Sequence, residues 1–221
     1  QTIEAFNLAE QYRVPVFLMA EKAVGHLRER MDVKPRVNIV NRLKKKGAPP
    51  FGTPEDDGVP PMPSFGEGEN LLVTGSTHNE VGIRKTDDGK AHEKLVLRIN
   101  NKILKHRREI IQTEAHSVDD AEVVVISYGF TARSALLAVQ ALRKEGKKVG
   151  LLRLKTLWPF PEEVIREVGK KAGKILVPEM NRGQIAGEIL KYAGCDVVSY
   201  CQTDGDIIHP YKIMEQVRSL L

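Results

Sequence analysis

Cysteine is scarce in this chain of 221 residues, which contains only Cys195 and Cys201. The two lie six positions apart (201 − 195) on one predicted strand, which separates them by roughly 20 Å. A disulfide needs Cα atoms within about 7 Å, so we expect no bridge. Two thiolates also cannot supply the usual ligand set of an iron–sulfur cluster. These absences predict a reduced, cytoplasmic protein without a metal centre of its own.

Long hydrophobic runs and several well-known motifs are absent too. The longest apolar run, Val14–Ala20, has seven residues, whereas a membrane-spanning helix needs about 20. The six histidines form no HExxH pair, and neither GxGxxG nor GxxxxGK[ST] occurs. No Ser-His-Asp or Cys-His set has a recognisable context. The chain begins at Gln1 without a signal-like segment, so we expect the middle of a longer chain with no membrane contact.

Residues 118–221 alternate short β-branched runs with amphipathic segments. The predicted strands are Glu122–Ser127, Val149–Leu154, Lys174–Val177 and Asp196–Tyr200. The predicted helices are Thr131–Glu145, Pro161–Lys171, Arg182–Ala193 and Pro210–Leu221. This alternation predicts an α/β fold with a parallel sheet covered on both faces. Ligands and partners of such a sheet usually bind at the carboxyl ends of its strands.

The beginning of the chain is typical of a half-finished α/β unit. A helical stripe over Thr2–Tyr12 is followed by Val14–Met19, which predicts a buried strand. The segment Lys34–Asn70 then holds seven of the twelve prolines and predicts an extended connecting arm. Disorder is the alternative for this arm. Its apolar side chains argue against disorder: Phe51, Val59, Met62 and Phe65.

Charge is distributed unevenly along the first half. Residues 21–47 carry +6, residues 48–81 carry −6 and residues 82–117 carry +4. This order suits an acidic arm that lies against basic neighbours in this chain or another subunit. Between them, Leu71–Thr74 predicts a short strand and His92–Ile111 a helix with one basic face. We interpret that face as solvated; nucleic-acid binding is the weaker alternative, because no aromatic residues interleave with the bases.

Three loops after predicted strands carry polar or aromatic groups. The loop Tyr128–Arg133 opens a helix and could hold an anion, but Thr131 as an N-cap explains the loop on its own and is the preferred interpretation. Trp158 and Phe160 are candidates for anchoring a subunit interface, with core burial as the alternative. The string Pro178–Gln184 is unusually polar for a sheet edge. Its residues Glu179, Asn181 and Gln184 could bind a ligand, but they are better candidates for satisfying groups at a subunit boundary.

Several strings together resemble one family. They are YRVPVFLMAEKAVGHLRER (12–30), DDGVPPMP (56–63), VTGSTHNEVG (73–82), YGFTARSALLAV (128–139), TLWPFPEE (156–163) and PEMNRGQ (178–184). They look like the alpha subunit of 2-oxoacid:ferredoxin oxidoreductases, of the type that uses 2-oxoglutarate. The family resemblance implies oxidative decarboxylation of a 2-oxo acid with CoA, giving an acyl-CoA, carbon dioxide and reduced ferredoxin.

The resemblance also implies a division of the chain and of its cofactors. Residues 1–27 would end a pyrimidine-binding α/β domain, 28–117 would form the arm, and 118–221 would resemble the C-terminal domain of transketolase-like enzymes. Thiamine diphosphate and Mg would be shared with a beta subunit, and iron–sulfur clusters and the ferredoxin contact would reside on other subunits. This segment alone would bind no cofactor, carry no catalytic residue and contact neither nucleic acid nor membrane.

One loop is implied to lie near the substrate. Thr77, His78 and Glu80 are the substrate-proximal candidates that the resemblance implies. Asn79 stands where the family usually has Asp, and this departure removes a negative charge from the loop. Within the loop itself, a local stabilising network of His78, Asn79 and Glu80 is the alternative reading. For the whole chain, the rival hypothesis is a non-catalytic nucleotide-binding or regulatory module that uses the Tyr128–Arg133 loop.

Overall fold

The computed structural model describes residues 1–32, 36–53 and 57–221. Pro35, Pro54 and Asp56, which the sequence analysis counted in the arm and its motif, lie outside these ranges. The described residues form two compact units, one of 1–19 and 30–110, the other of 20–29 and 111–221. In chain order the elements are α1 (Thr2–Tyr12), α2 (Lys22–His26), α3 (Gly89–Lys105), α4 (Arg107–Ile110), β1 (Thr113–His116), β2 (Val123–Tyr128), α5 (Thr131–Lys144), β3 (Val149–Leu154), α6 (Glu162–Lys171), β4 (Lys174–Glu179), α7 (Gln184–Leu190), β5 (Asp196–Cys201) and α8 (Pro210–Leu220).

The second unit contains a five-stranded sheet in the order β1-β3-β2-β4-β5. The four predicted strands pair in parallel, with Val123 opposite both Val149 and Lys174. The α/β class and all four strands are confirmed. The sequence analysis missed β1, which pairs antiparallel to β3 from Thr113↔Leu154 to His116↔Leu151. The sheet is therefore mixed, because a polar edge strand (TEAH) is added to its parallel centre.

Both faces of the sheet are covered, as the nearly all-apolar strands require. Alternate residues of β2 divide between the faces: Val123 and Val125 face α5 and α8, whereas Val124 and Ile126 face α6 and α7. The helices contribute small or branched side chains such as Ala135 on the first face. This burial of β2 places the loops that follow it at a well-fixed edge of the sheet.

The helices agree with the predicted ones except at their ends. The helix predicted over Arg182–Ala193 is shorter, Gln184–Leu190, because residues 181–183 form a capping turn before it. Thr131 is the first helical residue and Phe130 the N-cap, so the prediction of Thr131 as a cap is wrong. The predicted helix His92–Ile111 is α3 followed by α4, separated at His106.

Two predicted strands of the first unit are wrong. Val14–Met19 and Leu71–Thr74 have no regular structure, and Phe17 and Met19 are 80% and 81% exposed. A strand requires neighbours that accept its hydrogen bonds. The described part of the first unit contains no sheet, and Pro15 removes one donor from the segment. The apolar sequence alone therefore does not make a strand.

The first unit instead packs around a small cluster. Tyr12, Val59, Ile103 and Ile110 are buried together, so the end of α1, the arm and α3–α4 share a core. The apolar residues of the arm divide accordingly: Val59 and Met62 are buried, whereas Phe65 is 79% exposed. The acidic part of the arm pairs with basic neighbours of the same unit, as Lys44–Glu67 and Lys94–Glu80 show.

Candidate functional site

The loop that holds the substrate-proximal candidates is a tight hairpin between residues 77 and 85. The Lys85 amide donates to the Thr77 carbonyl at 2.8 Å, and the Asn79 amide donates to the Ile83 carbonyl at 3.0 Å. The Asn79 side-chain oxygen accepts from the amides of Val81 and Ile83, which closes the turn. Asn79 therefore has a structural role that Asp, with the same oxygen, also performs.

Two candidates fasten this hairpin to α3. The Thr77 hydroxyl lies 2.8 Å from Nδ1 of His92, and the Glu80 carboxylate forms an ion pair with Lys94. Hydrogen bonding from Lys94 holds the pKa of Glu80 below its ordinary value. Both side chains are partly exposed, so they hold the hairpin in place and still contact solvent.

His78 differs from its neighbours because one of its two ring nitrogens has no hydrogen-bond partner among the described residues. Its Nδ1 lies 2.7 Å from the carbonyl oxygen of Ser76. A carbonyl can only accept, so Nδ1 carries the proton and Nε2 of the neutral ring is an acceptor. Among the residues that the structure describes, this buried Nε2 has no hydrogen-bond partner. Buried polar atoms are rarely left unpaired, so Nε2 is the atom of this hairpin best placed to meet a ligand.

The second candidate region is the carboxyl edge of the sheet between β2 and β4. The chain leaves β2 toward α5 on one face and β4 toward α7 on the other, which makes this edge the switch point where ligands usually bind. Here the Tyr128 hydroxyl donates to the buried Glu179 carboxylate at 2.9 Å. Burial, followed by the charge of Glu179, raises the pKa of Tyr128 above its ordinary value.

The polar string after β4 is an internal capping network. The Glu179 carboxylate accepts from the amides of Ile185 and Ala186 at 3.0 and 2.9 Å. Asn181 donates to the Tyr128 hydroxyl and to Glu179, and its oxygen accepts from the amides of residues 183 and 184. Glu179 is 1% exposed, and only the Gln184 side chain of the three predicted interface residues is exposed. The crevice is thus filled by groups of this chain.

A carboxylate from the short segment 20–29 occupies the amino end of α5. The Glu21 side chain accepts from the amide of Phe130 at 2.6 Å. Gly129 has a φ of 56°, and a Cβ there would lie 2.2 Å from a Glu21 carboxylate oxygen. Glu29 forms an ion pair with Arg133, with nitrogen and oxygen 2.7 Å apart. Sequence reasoning noted that this loop could hold an anion but missed Glu21, because nothing in the spacing of 21 and 130 signals their contact.

Trp158 and Phe160 have different surroundings although they belong to one motif. Trp158 is 67% exposed. Phe160 is partly buried and stacks on Tyr192, with ring centroids 5.8 Å apart. The Arg166 guanidinium lies over the Tyr192 ring, with its central carbon 4.9 Å from the ring centroid. Of these two residues, only Trp158 therefore exposes most of a large apolar side chain that a partner could cover.

The described ranges contain neither a cluster of metal-ligand side chains nor a membrane-spanning helix. Residues 1–32, 36–53 and 57–221 contain no group of three His, Cys, Asp or Glu side chains arranged for a metal ion. Cys195 and Cys201 are free thiols in this structure. No helix in this part of the chain is long and apolar enough to cross a membrane.

The fold and these loops define a mixed α/β protein whose polar sheet-edge groups bind one another. Comparison with known proteins is more specific. Residues 1–98 match the family model for the thiamine diphosphate-binding region of pyruvate flavodoxin/ferredoxin oxidoreductases. Residues 121–213 match the model for core domain II of pyruvate:ferredoxin oxidoreductase. The chain belongs to the 2-oxoacid:ferredoxin oxidoreductase family, as its sequence motifs predicted.

Its relatives include characterised subunits and one solved enzyme. The 2-oxoglutarate synthase subunit KorA of Methanothermobacter thermautotrophicus is 41% identical over 222 residues, which cover 98% of this chain and 59% of the relative. KorA of Methanocaldococcus jannaschii is 46% identical over 191 residues, covering 85% and 50%. The 2-oxoglutarate:ferredoxin oxidoreductase of Magnetococcus marinus, solved with 2-oxoglutarate, coenzyme A and succinyl-CoA, superposes with a TM-score of 0.85 at 26% identity. That match covers 96% of this chain and 38% of the other. The chain thus spans between half and three fifths of the length of the two KorA relatives.

Proposed function

We propose that this chain is part of the alpha subunit of a thiamine diphosphate-dependent 2-oxoglutarate:ferredoxin oxidoreductase. The assembled enzyme cleaves the bond between the carboxylate and the keto carbon, releases carbon dioxide and transfers the acyl group to the thiol of coenzyme A. The electrons pass to ferredoxin. The observation that carries this proposal is the collinear similarity to two KorA subunits, joined to a superposition over 96% of the chain with a 2-oxoglutarate-bound enzyme.

Within that enzyme, we assign this chain mainly to assembly and to one wall of the substrate site. The polar network at the sheet switch point leaves no activated nucleophile among the described residues, which suits a structural domain. Thr77, His78 and Glu80 share one hairpin, and the buried Nε2 of His78 has no hydrogen-bond partner among the described residues. We propose this hairpin as the substrate-proximal element and residues 118–221 as the domain that contacts other subunits.

Cofactors and partners follow from the same assignment. We propose that thiamine diphosphate and magnesium are shared with another subunit and that the iron–sulfur clusters reside on other subunits. Thiamine diphosphate supplies the carbanion chemistry at the keto carbon when it is bound between subunits. The partners of this chain are then a beta subunit, further small subunits and, through the complex, ferredoxin and coenzyme A. We propose a cytoplasmic location for the assembly.

The test is turnover by the full-length subunit assembled with its partner subunits and with intact clusters. We expect reduction of ferredoxin that requires both 2-oxoglutarate and coenzyme A, with succinyl-CoA as the product. Faster reduction with pyruvate or a branched 2-oxo acid would revise the substrate and retain the reaction. No reduction with any of these acids would refute the proposal.

The rival module that binds nucleotides through Tyr128–Arg133 has less support. Its anion position at the amino end of α5 already holds the Glu21 carboxylate, which would have to leave before a phosphate could bind. Calorimetry of the chain with AMP, ADP, FAD and coenzyme A separates the two functions. Tight nucleotide binding that persists in Glu21→Gln would favour the module.

A further inference from the structure

The substrate-proximal hairpin is braced by a residue that the motif analysis did not assign to it. The ring of Phe51 packs against the ring of His78 in an edge-to-face arrangement, with centroids 4.6 Å apart. The amide of Phe51 donates to the carbonyl of Glu80 at 2.9 Å. The arm therefore contacts the hairpin through both a side chain and the backbone. Edge-to-face contacts of this kind fix the plane of each ring.

The arm approaches the hairpin so closely that the next residue must be glycine. A Cβ at Gly52 would lie 2.4 Å from Cβ and 2.3 Å from Cγ of Glu80, well inside van der Waals contact. Cβ cannot rotate away, so any larger residue would push the arm from the hairpin. Gly82 is equally crowded, because a Cβ there would lie 2.1 Å from the Leu72 carbonyl oxygen and 3.2 Å from the Phe51 ring.

The arm is in turn held by Arg13, at the end of α1. The Arg13 guanidinium donates to the carbonyls of Pro50 and Pro60, which lie on either side of Phe51 in the sequence. It also lies 5.7 Å from the centre of the Phe51 ring. The carbonyl of Arg13 accepts from buried Lys102 on α3 at 3.1 Å. A continuous set of contacts thus runs from α3 through Arg13 and Phe51 to His78.

We infer that Phe51, held by Arg13, is a positioning residue that fixes the ring of His78, so that its buried Nε2 keeps the orientation in which the substrate would meet it. This inference rests on the proposed function, because it gives the purpose of the brace. It requires the Nδ1–Ser76 bond to set the tautomer and the Phe51 ring to block rotation about the His78 side-chain bonds. In this inference Phe51 and Arg13 act through His78.

The experiment uses the full-length subunit in its assembled complex and compares Phe51→Leu with Phe65→Leu. Phe65 belongs to the same arm but is 79% exposed, so it controls for the substitution itself. Reactivity of each histidine toward diethyl pyrocarbonate, measured by peptide mass spectrometry, reports the ring directly and needs no turnover. We expect roughly tenfold faster labelling of His78 in Phe51→Leu alone, since its Nε2 is buried in the intact protein.

His106 is the internal control for unfolding, because its Nε2 is also buried in the same unit. Equal acceleration at His106 would mean general loosening and would overturn the inference, as would unchanged labelling of His78. If Phe51→Leu does not assemble, Arg13→Lys provides the second variant. It keeps the charge but loses the planar guanidinium that lies against the Phe51 ring, so we expect a smaller increase at His78.

Kinetics separate positioning from stability. We expect Phe51→Leu to raise the KM for the 2-oxo acid roughly tenfold with a smaller change in kcat, and to add nothing further in a His78→Gln background. Additive effects in the double variant would mean that Phe51 does not act through His78. If the unsubstituted complex turns over no 2-oxo acid, the proposed function fails, whereas the labelling result still decides whether the brace exists.

Discussion

The carboxylate of Glu21 accepts a hydrogen bond from the backbone amide of Phe130 at 2.6 Å, which caps α5 from a segment more than a hundred residues earlier in the chain. Four backbone amides at the start of any helix lack partners within it, and an acidic group there also faces the favourable end of the helix dipole. A motif that resembles an anion site is therefore completed by the protein itself. Arg133, in the first turn, holds Glu29 at the other end of the same segment.

Gly129→Ala should disrupt this contact. Gly129 and Gly146 both have a positive φ, 56° and 78°, but a Cβ at Gly146 would meet nothing within 4 Å. Both alanine variants lose about 1 kcal/mol of unfolding free energy for the backbone conformation. We expect Gly129→Ala to lose roughly 1–2 kcal/mol more, because its Cβ displaces Glu21. Denaturant unfolding of both variants measures the difference.

The role of Glu21 in this cost can be checked by making Gly129→Ala in a chain that also carries Glu21→Ala. In Glu21→Ala the oxygen that a Cβ at position 129 would meet is gone, so Gly129→Ala should cost no more than Gly146→Ala. An undiminished cost would show that the backbone alone, and not Glu21, explains the glycine.

Tyr128→Phe should change the alkaline stability of the protein. Since the pKa of Tyr128 is raised, the folded state keeps its proton above pH 10, where the unfolded state releases it. Stability therefore falls as pH rises above about 10, and this part of the fall disappears in Tyr128→Phe. Unfolding curves between pH 9 and 11 measure it. Tyr211→Phe is the control, because Tyr211 is 52% exposed; an equal change there would contradict the assignment.

Much of the second unit was predictable because its physical signals are local. The strand Val149–Leu154 agrees with the prediction at both ends, since a short, mostly apolar run buried on two faces has few alternatives. The first unit was less predictable. Val14–Met19 has the same apolar composition but no strand beside it, and a sequence does not report whether a neighbour exists.

The candidate sites differ in the same way. The motif Pro178–Gln184 was found as a polar cluster, but its function as an internal cap depended on Tyr128, 51 residues earlier than Glu179. Phe51 was noted only as an apolar residue of the arm. Its contact with His78 arises from the path of that arm, which the prolines restrict but do not determine.

Lys102→Met should remove a rise of stability with pH, which is opposite in sign to the fall expected from Tyr128. The sequence analysis interpreted the basic face of α3 as solvated, which is wrong for Lys102: it is 4% exposed, and its ammonium donates to the Arg13 carbonyl. Burial, together with the charges of Arg98 and Arg13, lowers the pKa of Lys102 from 10.5 to about 8. Between these values the unfolded state holds the proton and the folded state does not. Stability due to Lys102 therefore rises with pH from 8 to 10.5.

The expected rise is on the order of 3 kcal/mol, and it should be absent in Lys102→Met. Unfolding at pH 7.5 and pH 10 in both proteins measures it as a difference, which cancels the titration of other groups. Lys90→Met, an exposed position on the same helix, is the matched control. A Lys102→Met protein with the pH slope of the unsubstituted chain would mean that this ammonium stays charged when buried.

Trp158→Ala tests whether the loop after β3 anchors a subunit interface. Trp158 is 67% exposed, so its removal should change the unfolding free energy of this chain by no more than about 0.5 kcal/mol. If it is the anchor that we propose, the same change weakens association with the partner subunit by about 2 kcal/mol or more, which is roughly thirtyfold in Kd. Leu137→Ala, at a 59% exposed position on α5, is the control for loss of apolar surface.

Phe160→Ala should lower the unfolding free energy of the chain and leave association less affected, because it loses the stack on Tyr192. Sedimentation of the reconstituted complex measures association, and equal Kd values for Trp158→Ala and Leu137→Ala would remove Trp158 from the interface.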